Sequence, residues 1–290
     1  MARPSTPRDK VYLDILLRSI RVCKAYRPKF GQGAPVTLEE FKKLYGSDPL
    51  YSWFGLDSPL LYAAHKASGG MTSLYRQVGM GLERVFCQLL QDQLGLNAEQ
   101  VTWFYEIASE GVKKPRRLKL DGRIEVASIK DTNVRERVRS WLIAACKSVG
   151  VDEKVAASLK GCVFEVRQGY KSKDSKRQNA DIGNAGSAYK NGYLPVALIL
   201  STQIDTDVAE RYQGAGWLLL RGYEGGTALD STYAFCRDVL GFDLGAFLKA
   251  NSAELKESVN EVLEALLTPA DTAPMGERGP DVDEGLTDED

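Results

Sequence analysis

Three short apolar runs constrain this 290-residue chain more than any other feature: GCVFEV (161–166), YLPVALIL (193–200) and WLLL (217–220). Each falls well short of the roughly 20 residues that a bilayer-spanning helix needs. Each reads instead as a strand covered on both faces, because a strand with one wet side alternates polar and apolar residues. Covering a strand on both sides takes helices above and below it, and the intervening segments carry helical periodicity. The expected fold is therefore α/β, a mixed central sheet flanked by helices, with no membrane segment.

Along the chain, VYLDILLRSIRVCKAY (11–26) has apolar residues at helical spacing and ends before Pro28. Thr37 is a candidate N-cap for a short helix at TLEEFKKLY, within a Gly- and Pro-rich connecting region (31–70). A long amphipathic helix is predicted over 71–94, and its interior Gly79 and Gly81 imply a close neighbour, since each costs roughly 1 kcal/mol against alanine. RLKL-DG-RIEVASI (117–129) predicts two strands around an Asp-Gly turn, a strong hairpin signal. A helix over 133–149, a strand at 161–168 and a polar loop follow, then a helix over 176–191 and the strand YLPVALILS. Beyond them lie a short helix near DVAERY, the strand GWLLLRGY and helices around TYAFCRDVL and ELKESVNEVLEALL. This order predicts an N-terminal helical and loop region (1–71), an α/β core with C-terminal helices (72–267) and an acidic tail (268–290) too poor in apolar residues to fold.

Charge is unevenly placed. The whole chain carries a formal −1, but residues 268–290 contain eight acids and one base, so a −7 tail leaves +6 on the remainder. Between Gly111 and Ala180 eighteen Lys/Arg face eight Asp/Glu, an excess of one sign that points to a polyanion, with nucleic acid favoured. The five cysteines lack CxxC spacing and the N-terminus MARPSTPRDK lacks a signal-peptide core, so free thiols and a cytoplasmic location are expected. The single histidine, His65, cannot supply a multi-histidine metal site.

The segment FEVRQGYKSKDSKRQNADI (164–182) carries the chemistry. Strand alternation sends Val163, Glu165 and Arg167 to one face and Phe164 and Val166 to the other. A carboxylate in a strand that is otherwise apolar needs a partner or a metal, because an isolated buried charge is expensive. Glu165 paired with Arg167 is the purely structural alternative.

The arrangement resembles the PD-(D/E)xK nuclease superfamily, which includes most type II restriction endonucleases. Residues 72–201 follow its order of elements: FEVRQG looks like the (D/E)xK strand, DGRIEV looks like the strand bearing the first acid, and Glu83 sits where the family often has a helical glutamate. The resemblance implies a restriction-endonuclease-like fold with extra N- and C-terminal helices, and a homodimer that cuts double-stranded DNA with Mg²⁺. It implies Glu165 as a metal ligand together with a first acid, for which Glu125 is favoured as a strand residue, Asp121 competes from the turn, and Asp131 is a third choice.

Two departures matter. Arg167 stands where the family usually has lysine, so Lys171 or Lys173 could reach back from the loop to replace it, or Arg167 could itself act as a fixed cation. A helix of about seventeen residues also separates the second and third strands, where the family often has a simple turn. Lys113, Lys114, Arg116, Arg117, Lys173, Lys176 and Arg177 are candidates for phosphate contacts, and Gln178 and Asn179 for base contacts or for supporting the site. A DNA-binding protein without hydrolytic activity is the main alternative, and an RNA-processing or repair nuclease on the same fold is a third reading.

Overall fold

The computed structural model describes residues 6–107, 116–169 and 184–270. The described residues divide into two compact units, one within 82–250 and one of 6–81 with 251–270.

In chain order the helical elements up to the first strand are α1 (Pro7–Arg21), α2 (Leu38–Gly46), α3 (Pro49–Trp53), α4 (Pro59–Leu94) and α5 (Ala98–Val101). The helix predicted over 11–26 is α1 followed by a single 3₁₀ turn at Val22–Ala25. Thr37 caps α2 as predicted: Glu40 N–H donates to its hydroxyl and the Glu40 carboxylate accepts from the Thr37 N–H, a reciprocal capping box. The connecting region is more helical than predicted, since it holds α3 and the first turns of α4.

In the helical unit, Ile20, Cys23 and Leu74 pack with Val262 and Leu266 of the last helix, α12 (Ser252–Leu267). A second cluster gathers Val36, Phe41 and Tyr62 around Phe30. The close neighbour implied by the α4 glycines is α1, because a Cβ on Gly81 would lie 3.1 Å from Ser19 Cβ. The boundaries read from sequence, near 71 and 267, differ from the 81/82 and 250/251 divisions of the units. The difference arises because α12 buries its apolar face among residues of α1 and α4.

The other unit is built on strands β1 (Trp103–Ile107), β2 (Arg116–Leu120), β3 (Gly122–Glu125), β4 (Gly161–Arg167), β5 (Tyr193–Ile199) and β6 (Leu218–Leu220). Its helices are α6 (Thr132–Ser148), α7 (Glu153–Ser158), α8 (184–190), α9 (Thr206–Gly214), α10 (Thr232–Phe235) and α11 (Leu244–Ala250). Strands β3-β4-β5-β6 form a mixed sheet in that order, antiparallel at β3–β4 and parallel thereafter. β4 and β5 are central, and every residue of β5 is buried. β6, read from sequence as covered on both faces, is the edge of the described sheet: its leucines report burial and not the number of neighbouring strands.

The two faces of the sheet have separate cores. Val163, Ala197 and Ile199 pack with Ala185 and Ala188 of α8, Val208 and Tyr212 of α9, and Trp103 and Leu120 of the β1–β2 ribbon. Phe164 turns the other way, its ring 5.0 Å from Phe86 of α4 and 5.7 Å from Phe235 of α10. Among the described residues no helix is long and apolar enough to cross a membrane.

The predicted Asp-Gly hairpin is absent. β2 pairs antiparallel with β1, whereas β3 pairs antiparallel with β4, so the chain runs through Asp121-Gly122 from one sheet into the other. Gly122 is there for close approach and not for a turn: a Cβ would stand 3.2 Å from Phe86 and 3.4 Å from Leu90, where α4 crosses the strand.

Candidate active site

The strand-to-strand crossing places Asp121 beside the charged end of β4. The Asp121 N–H donates to Phe164 O at 2.9 Å, and the Val166 N–H donates to Asp121 Oδ2 at 2.7 Å. These two bonds hold the Asp121 backbone and carboxylate against β4 on either side of Glu165. The register puts Gly122 opposite Phe164 and Glu125 opposite Gly161. Glu125 is thus four residues further along β4 than Glu165, about 13 Å at roughly 3.3 Å per residue. Asp121, not Glu125, is the acid that the fold brings to Glu165. Asp131 is spent on capping α6, where its carboxylate accepts from the Asn133 and Val134 N–H groups.

Glu165 is only 3% exposed, and burying its charge requires a counter-ion. Arg167 supplies it. Its Nη2 contacts Glu165 Oε1, while its Nη1 lies 3.6 Å from Asp121 Oδ2. One guanidinium therefore straddles both carboxylates from the last residue of the strand, with 22% of its own side chain exposed. The alternation read from VFEVR holds, and so does the ion pair weighed as its structural alternative.

The helix α4 contributes a third acid. Burial, reinforced by the negative charge of Asp121, raises the Glu83 carboxyl from 4.5 to about 7, against the smaller opposing pull of Lys119, Arg167 and Arg84. One turn on, the Cys87 thiol donates to Asp121 O at 3.0 Å, and burial with Glu83 and Asp121 nearby pushes it up to about 12. Cys87 and Lys119 belong to this neighbourhood although nothing drew attention to them in the sequence.

Among the described residues no three His, Cys, Asp or Glu side chains are grouped as a ready-made metal site. The donor chemistry fits a hard divalent cation all the same, since Mg²⁺ is commonly held by one or two carboxylates with waters completing its shell. Asp121 and Glu165 already converge on a single positive charge, and Glu83 adds acidity that the local cations do not fully offset.

Of the other predicted residues, Arg116 and Arg117 lie on β2, paired with Ile107 and Glu106. Lys113, Lys114, Lys171, Lys173, Lys176, Arg177, Gln178 and Asn179 lie outside the described residues. All five cysteines are free, and His65, on α4, sets its ring edge-on to Phe30 at 4.9 Å. No family model, curated protein or solved structure matches this chain.

Proposed function

We propose that the protein is a Mg²⁺-dependent endonuclease that hydrolyses phosphodiester bonds in double-stranded DNA, with a restriction-endonuclease-like core. The observation that carries the reading is the convergence of Asp121, at the junction of β2 and β3, and Glu165, inside β4, on one cationic position at the end of β4. Asp121 and Glu165 would hold a divalent cation there, which would supply polarisation of a phosphoryl oxygen and a lowered pKa for an attacking water. Arg167 presents a cation that does not titrate, suited to stabilising charge that develops on the phosphorus oxygens and unsuited to acting as a base. The basic excess over 111–180 supplies the attraction for the DNA backbone.

The reading includes a homodimer, because cutting both strands is simplest with two symmetric sites. A surface in the helical unit supports it: Leu50, Trp53, Phe54 and Leu60 are 54, 81, 74 and 77% exposed. No Lys or Arg lies between Lys43 and Lys66, so this apolar corner suits a second copy better than a polyanion. The specific observation favouring the alternative, a DNA-binding protein without hydrolysis, is that Arg167 already occupies the position between the two acids as their counter-ion.

Digestion of a plasmid of known sequence with and without Mg²⁺, followed by sequencing of the ends, separates the two. Discrete Mg²⁺-dependent cuts support the nuclease, and intact plasmid under tight binding supports the alternative.

A further inference from the structure

We propose that Arg167 is an exchangeable counter-ion whose guanidinium leaves Asp121 and Glu165 for a DNA phosphate, so that metal binding and DNA binding are coupled through this one side chain. The inference rests on the nuclease reading and deepens it. Asp121 and Glu165 are 15 and 3% exposed at their side chains, so neither can be left bare when its cation departs. A guanidinium and a divalent cation cannot both occupy the space between two carboxylates, because like charges at contact distance repel strongly.

Lysine in this position could lose its proton and stay where it is. Arginine keeps its charge, so making room for the metal means carrying that charge elsewhere. A phosphodiester is the natural receiver, as its oxygens take the two-pronged hydrogen bonding of a guanidinium.

The architecture allows the exchange without a backbone change. Asp121 Oδ2 is pinned by the Val166 N–H, and the backbone of Glu165 is fixed inside β4, so the strand need not move when the cation leaves. Arg167 is the last residue of that strand, and its partly exposed side chain swings outwards by a change of torsion angles that also gives up the Nη1 hydrogen bond to Val166 O at 3.3 Å. The DNA-free protein should therefore bind metal weakly, and each ligand should strengthen the other by the same factor.

The test uses the full chain, Ca²⁺ as the probe and a duplex carrying the cleaved sequence, read by calorimetry and not by turnover. In the wild type, DNA should tighten Ca²⁺ binding at least tenfold. In Arg167→Gln, Ca²⁺ should bind the DNA-free protein at least tenfold more tightly than in the wild type, and DNA should then change that affinity less than threefold. Arg167→Lys guards against a folding defect in the glutamine variant: a single ammonium cannot span both acids, so its DNA-free Ca²⁺ affinity should rise at least threefold. Equal Ca²⁺ affinity of the wild type with and without DNA overturns the coupling while leaving the metal site standing. DNA-free affinity unchanged or weakened in both variants also overturns it. Absence of Ca²⁺ binding in all three proteins, DNA present or not, overturns the nuclease reading as well.

Discussion

Replacing Glu83 by glutamine should stabilise the protein, by an amount that grows as pH rises above about 4.5 and is complete above about 7. The wild-type carboxyl is raised from 4.5 to about 7, first by burial and then by Asp121. A group whose pKa is raised by folding contributes stability that is complete below its unfolded value and is lost as pH climbs through the folded one. The window for Glu83 therefore runs from about pH 4.5 to 7, and above it the charged carboxylate is a standing cost. At 1.36 kcal/mol per pH unit, a displacement from 4.5 to about 7 corresponds to about 3 kcal/mol. Glutamine keeps the shape and carries no charge, so Glu83→Gln should gain about 1–3 kcal/mol at pH 8.5 and nothing at pH 4. Urea unfolding at both pH values, without divalent metal, measures the difference. A gain of the same size at both pH values would refute the electrostatic argument, and a loss at pH 8.5 would show that the carboxylate is held by favourable contacts.

Asp121→Asn should retain the acceptor for the Val166 N–H and melt within a few degrees of the wild type, yet cleave at least a hundredfold more slowly, whereas Glu125→Ala should cleave at close to the wild-type rate. Single-turnover cleavage paired with thermal melts compares them. Truncation after Ala270, which spares the Thr268 and Ala270 carbonyls that accept from buried Lys66, should leave the fold intact. It should also tighten nonspecific DNA binding in low salt, an effect that disappears near 1 M salt if the removed −7 charge is its cause. The double substitution Trp53→Ser, Phe54→Ser should convert a dimer into a folded monomer, read by sedimentation, and an unchanged dimer would place the interface elsewhere.

What the sequence showed of this site follows the range of the interactions involved. The β4 strand and its charged face were legible because alternation is local: Val163, Glu165 and Arg167 share a side whatever surrounds them. Asp121-Gly122 misled because the same dipeptide that favours a tight turn also suits a strand crossing under a helix. Only the distant partners, β1 for β2 and β4 for β3, distinguish the two. That misreading also explains the preference for Glu125, since a hairpin would have put Asp121 in a loop. β1 went unseen because WFYEI is short and bounded by no strong punctuation. α4 was cut short at Met71 because Gly69-Gly70 reads as a break, although the helix continues through it from Pro59. Glu83 was placed by analogy of element order, and its neighbourhood with Asp121 came from tertiary packing.

The most direct test of the central claim is plasmid cleavage by the wild type, Glu165→Gln and Asp121→Asn over a Mg²⁺ titration, with DNA binding measured in parallel. Asp121 and Glu165 are assigned to the cation and not to the DNA, so both variants should still bind DNA, without the Mg²⁺-dependent tightening of the wild type, and leave the plasmid uncut at every Mg²⁺ concentration. Wild-type cutting by either variant, or cutting by the wild type that persists in excess chelator, would contradict the account.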